Sequence, residues 1–193
     1  MMATTLPALI DKATASLAGA RTSAEVLEAR DNARVAYDAA KSAGRMARAK
    51  RAHDDVISAV YRAQADALLI EARAKVRLAD EYDDAQRRGE VRLPNNEKTT
   101  SGAEAVSAGS LGLTHKQVHE ARQIRDAEKA EPGLAERALR AMIKRGEEPT
   151  RTELQRAVLI AAKAIRAEKA AAARAVRLDN LAEISRGNRD LAT

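Results

Sequence analysis

The chain has three imidazoles, His53, His115 and His119, and no cysteine. His115 and His119 stand four residues apart, a spacing that puts both rings on one face of a helix, where they could share a metal. A zinc-peptidase helix needs a glutamate directly after its first histidine. Lys116 stands there instead, and no third ligand follows at a matching spacing. The pair is read as polar surface, and no metal or other cofactor is expected. His53 is followed by Asp54 and Asp55. Carboxylates beside a histidine do acid–base work only where a cleft desolvates them, and on a long charged helix they are surface groups. The sequence contains no GxSxG nucleophile motif and no glycine-rich phosphate loop. The chain is therefore expected to bind rather than to catalyse, and not to be an enzyme.

The chemistry that remains is hydrogen bonding from one helix face. Residues 104–123 read EAVSAGSLGLTHKQVHEARQ. A helix-turn-helix needs a small residue in its first helix, so that the second can cross closely, and a glycine in the turn for a left-handed backbone. Ala108 and Gly112 meet those needs. Leu111 and Leu113 flank the glycine, and Thr114 can cap the second helix. Val118 and Ala121 fall on its inner face, with Ile124 or Arg125 one turn on. The side chains left outside are of the kind that reach base edges and phosphates in a major groove. The expected DNA-binding set is Thr114, His115, Lys116, Gln117, His119, Arg122 and Gln123, with Lys116 and Arg122 as its anchors; Glu120 shares the same outer face. The plainer alternative is a helical pair with an ordinary glycine turn and a solvated face, which the electrically neutral segment 90–149 also suits.

The stretch LGLTHKQVHEARQIRDAEKAEPGL (111–134) resembles helix-turn-helix proteins of bacterial prophages and plasmids, themselves similar to the DNA-binding helices of ParB-like partition proteins. The run SAEVLEARDNARVAYDAAK (23–41) is similar to the N-terminal helical region of that group. AKVRLADEYDDAQRRGEV (74–91) is similar to the long helix that leads into its linker. The resemblance spans roughly residues 5–150. It implies a DNA-associated protein of a phage or other mobile element, a regulator or accessory factor. The nucleotide-binding motifs and arginine patch of ParB proteins are missing, so a CTP-dependent clamp is not implied.

Composition dictates the elements that must position this face. The 193 residues are 45% hydrophobic, yet the chain has no Phe, no Trp and only three Tyr. Alanine, Leu, Arg, Lys and Glu dominate, and all favour helix. An all-α protein with thin, closely packed helical layers follows. Net charge is +6 and the pI is about 9.8, a balance that suits a polyanion partner. Without a run of apolar residues long enough to span a bilayer, and without a secretory signal at the start, a cytoplasmic protein with no membrane association is expected.

Breakers and apolar spacing predict the order of elements. A first helix starts near Leu6-Pro7 and ends at Gly19. Thr22 and Glu25 form a capping box for a second, with Val26, Ala29, Ala33, Tyr37 and Ala40 as its stripe, broken at Gly44. From 45 to 88 there is no Pro or Gly, which predicts one helix of roughly 60 Å at 1.5 Å per residue. Val56, Val60, Ala63, Ala67, Ile70, Ala74 and Leu78 mark its apolar side. Its end should be held by the pairs Asp83–Arg87 and Asp84–Arg88.

The expected organisation is a long N-terminal helical hairpin (1–88) for dimerisation or partner binding, a linker (89–102), a small helix-turn-helix domain (103–149) and a long basic C-terminal helix (150–193). That last helix opens with a capping box at Thr150 and Glu153 and carries Lys163, Arg166, Lys169, Arg174 and Arg177. A second basic patch holds Arg45, Arg48, Lys50 and Arg51. Expected partners are double-stranded DNA and a second copy of the chain in a homodimer, with coiled-coil pairing through the long helices. The rival is an interaction protein that binds a host protein through those helices without touching DNA.

Overall fold

The computed structural model describes residues 5–92 and 106–190. Among them the fold is all-helical, with an isolated bridge between Val91 and Val106. Six α-helices follow in order: α1 (Leu6–Gly19), α2 (Ser23–Ala49), α3 (Asp54–Arg87), α4 (His115–Ala130), α5 (Leu134–Lys144) and α6 (Arg151–Asp190). A single 3-10 turn, Gly109–Leu111, precedes α4. No helix among the described residues is long and apolar enough to cross a membrane.

The capping box at α2 forms as its sequence dictates. The Thr22 hydroxyl accepts from the Glu25 amide, and the Glu25 carboxylate accepts from the Thr22 amide at 3.1 Å. Val26, Ala29, Ala33, Tyr37 and Ala40 are buried. Glycine does not break α2 at Gly44. A β-carbon there would stand 3.3 Å from Val60 Cγ1, so the glycine lets α2 pass close to α3. Ser23 Oγ donates to Glu81 near the other ends of the two helices, so α2 and α3 run in opposite directions along their length.

The break comes later, and without glycine or proline. Helix α2 ends at Ala49, and Arg51 takes a left-handed backbone with φ of 51°. The Ala52 amide reaches back to Ala47 O at 2.9 Å and closes the helix end, a left-handed C-terminal cap usually made by glycine. His53 then caps α3, its Nδ1 accepting from the Asp55 amide. The single helix expected over 45–88 is thus two. His53 and its carboxylate neighbours serve a helix start.

The core lies where α2 and α3 meet the C-terminal helices. One cluster takes Ala36 and Tyr37 from α2, Ala67 and Leu68 from α3, and Ile124 from α4. Leu139 of α5 and Leu154 and Val158 of α6 complete it. The segments before and after the expected linker therefore share one interior. The bridge holds the linker's two flanks together, with Arg92 N donating to Val106 O at 3.0 Å and Val106 N to Glu90 O at 2.9 Å. The expected linker positions 93–102 lie outside the described residues.

Among the described side chains of α6, the packed ones lie in its first turns. Leu154 and Val158 are buried, and Ala162 and Ile165 lie beside α4. Farther on, residues 170–175 are all exposed, so no side of the helix is covered there. Thr150 caps it, its hydroxyl accepting from the Glu153 amide at 3.2 Å.

Because α2 and α3 approach through alanines, larger groups there cannot be absorbed. Ala36 is fully buried, and overpacking a tight core costs about 1–3 kcal/mol. Ala36→Leu should lower the unfolding free energy by that amount in urea denaturation, whereas the same change at exposed Ala24 should leave it nearly unchanged.

Candidate nucleic-acid interface

The turn before α4 forms for the reason its sequence suggests. Gly112 has φ of 70°, the left-handed region that a side chain disfavours. Ala108 and Leu113 are buried on either side. Thr114 and Gln117 cap α4 reciprocally: the Gln117 amide donates to Thr114 Oγ1 at 3.2 Å, and the Thr114 amide donates to Gln117 Oε1 at 2.8 Å. Val118, Ala121 and Ile124 form the buried side of α4, which packs against α3 and α6.

The first helix of the expected helix-turn-helix is absent from the described residues. Positions 103–105 lie outside them. Residues 106–111 form the bridge and the 3-10 turn. Ser107 and Ser110 explain the loss of helix. Each backbone amide donates to the other residue's hydroxyl at 3.1 Å. Such local bonds compete with helical ones, and Gly109 adds a backbone entropy penalty. The helices that brace α4 are instead α3 and α6.

The outer side of α4 divides in two. His115, Lys116 and His119 are exposed, and the Lys116 side chain keeps 85% of its accessible surface. Its ammonium lies 3.9 Å from Glu120. His115 makes no hydrogen bond among the described residues, while His119 Nε2 lies 3.0 Å from Gln123 Nε2. Arg122 turns the other way. Its Nε donates to Asp83 Oδ1 at 2.8 Å, its Nη2 donates to Gln86 Oε1 at 2.7 Å, and its guanidinium stacks 5.4 Å from the centre of the Tyr82 ring. Arg125 also donates to Asp83, and to Ala79 O at 3.3 Å. Lys129 completes the seam by donating to Asp80 at 2.7 Å.

Arg122, one of the two expected anchors, is therefore held by the protein itself, and Gln117 is held by the cap. The expected pairing of Asp83 with Arg87 is replaced: Arg87 bonds Asp84, and Arg88 bonds Glu90. Partial burial pushes the Asp83 carboxyl up, but the guanidiniums of Arg125 and Arg122 outweigh it and hold it below its ordinary value. The Asp83–Arg122 pair spans 39 residues, and no local pattern announces it.

The other basic groups also divide. Arg48 is bound to the Tyr61 hydroxyl at 2.8 Å and to Glu148 at 3.1 Å. Lys163, Arg174 and Arg177 on α6 are exposed; the side chains of Arg166 and Lys169 lie outside the described ones. No group of three His, Asp or Glu side chains able to hold a metal occurs among the described residues. The chain matches no family model, no curated protein and no solved structure.

The Asp83 clamp predicts a pH dependence. A carboxyl whose folded pKa is depressed adds stability that is complete above its unfolded value and is lost as pH falls through the folded one. Stability should thus decline as pH drops below about 3.8, the ordinary value for Asp, and Asp83→Asn should flatten that part of the decline. At neutral pH the substitution should cost about 1.5–3 kcal/mol, the scale of a charge-assisted bond, read by thermal unfolding across a pH series.

Proposed function

We propose that this chain is a sequence-preferring DNA-binding protein of a phage or other mobile element, acting as a transcriptional regulator. The observation that carries the reading is the solvent-facing first turn of α4. It presents His115, Lys116 and His119 beyond a capped, braced helix start. A helix that enters a major groove does so with its N-terminal residues and needs a rigid support behind them. The contacting set is Thr114, His115, Lys116 and His119, with Gln123 at its edge. Gln117 and Arg122 hold the helix in place instead of reading bases.

The exposed stretch 170–175 of α6 supplies the second part. A helical stretch with no buried side finds a partner or bridges through solvent. Exposed Lys163, Arg174 and Arg177 suit phosphate contacts, and the alanines between them suit close pairing with a second copy. A homodimer joined there fits a palindromic site, because two-fold protein symmetry matches two half-sites. The proposal assigns the chain no catalytic activity and no cofactor.

The rival reading is an interaction protein that grips a host protein through its long helices. It is favoured by Met46, 57% exposed, and Val56, 48% exposed, at the α2–α3 turn.

Duplexes selected from a random pool by the full chain provide the test. Lys116→Ala with His119→Ala should weaken binding about tenfold or more, the scale of a lost base contact, without changing helical content. Arg174→Gln with Arg177→Gln should lower the slope of log K against log salt by about 2, one for each lost phosphate contact. Unchanged affinity in the α4 double variant would sink the DNA reading. Salt-insensitive capture of a protein partner, with no retention on duplex, would favour the rival.

A further inference from the structure

Between α3, α4 and the start of α6 lies a cleft with two adjoining parts, whose walls share Glu71, Lys75, Glu120 and Arg151. The inner part, about 160 Å³, is lined on its apolar side by Leu68, Ala72, Ile124, Leu154 and Val158. A cavity of about 150 Å³ with apolar walls accommodates a benzene ring. The outer part, about 270 Å³, adds Arg30 and Arg34 from α2 and Lys116 from α4. Five cationic side chains thus stand there with Glu71 and Glu120, and Asp31 and Asp38 at its edge pair with two of them.

Of these cations, Lys116 lies 3.9 Å from Glu120, and Arg34 is the one without a pair among the described residues. Arg30 pairs with its neighbour Asp31 at 2.9 Å. Glu71, nearly buried, binds Lys75 at 3.0 Å and Arg151 Nε at 2.9 Å. Burial pushes the Glu71 carboxyl up, but those two cations outweigh it and keep it below its ordinary value. Arg34 makes no hydrogen bond or ion pair among the described residues. Arg151 lies over the Tyr37 ring at 4.1 Å and donates from Nη1 to Asp38 at 3.2 Å. Its Nη2 is buried with no hydrogen-bond partner among the described residues. A buried donor without an acceptor has lost its hydration with no return.

We propose that this cleft binds a small amphipathic anion: a ring or short alkyl body over Leu68, Ala72 and Leu154, with one carboxylate or phosphate head against Arg151, Lys75 and Arg34. A simple anion would gain nothing from the apolar wall. A neutral ligand would leave the Arg34 charge unmatched. Binding of this kind requires no DNA, so the inference stands apart from the function proposed above.

Titration of the full chain with 3-phenylpropionate, followed by amide NMR shifts, tests it. Saturable shifts are expected at residues 68–75, 120–124 and 151–158. The neutral 3-phenylpropanol and inorganic phosphate should each bind at least tenfold more weakly. Arg34→Gln removes a free cation without disturbing a pair and should weaken 3-phenylpropionate several-fold. Exposed Gln155 also lines the inner part; Gln155→Trp, which crowds it, should do the same, with circular dichroism unchanged in both variants. Shifts scattered over the surface, no saturation in the millimolar range, equal binding of phosphate or of the alcohol, or unaltered binding in both variants would each overturn the proposal.

Discussion

A chain without Phe or Trp cannot fill a wide interior, because aromatic rings supply the largest blocks of buried area. Its helices must come together through small groups. Along α2 and α3 that is what happens: Ala29, Ala33, Ala36 and Ala40 lie on one helix, and Ala67 and Ala74 on the other, all buried. Gly44 extends the same close approach to Val60. The distance between these two helices sets where every later element attaches. Helix α1 adds Ala13 to Ala33 and Ile70; α4, α5 and α6 meet the far side of α3 with the larger Leu, Ile, Val and Met side chains.

Thin apolar layers leave much of the attachment to charge. Two carboxylates of α3 act as hubs. Asp83 holds Arg122 and Arg125 of α4, and Glu71 holds Arg151 of α6. Both seams are partly shielded from water, where removing one partner is expensive because the other is left uncompensated. The net charge of +6 therefore hides a division of labour. Many arginines neutralise carboxylates within the fold, while Lys116 and the exposed basic residues of α6 remain outside.

The same division runs through α4. Its apolar side and its arginines face inward to α3, and its first turn faces outward with His115, Lys116 and His119. That arrangement gives a rigid helix with a small, accessible polar tip, a form suited to recognition. On its other flank the helix borders the cleft around Arg151, so one element contributes to two surfaces of different character.

Helical content, the start of α2, the Gly112 turn and the buried side of α4 were legible in the sequence. Each rests on local rules: propensity, reciprocal capping, a left-handed glycine and side-chain period. What tertiary structure decided has the opposite cause. Gly44 continues a helix because a neighbouring helix needs its missing β-carbon, and Arg51 ends one by a cap with no glycine to announce it. Ser107 and Ser110 bond to each other in place of the expected first helix. Arg122 is engaged within the protein, since Asp83, distant along the chain, reaches it. Local periodicity tells which side chains leave a helix on the same side; only the packing of distant helices determines which of those are already engaged.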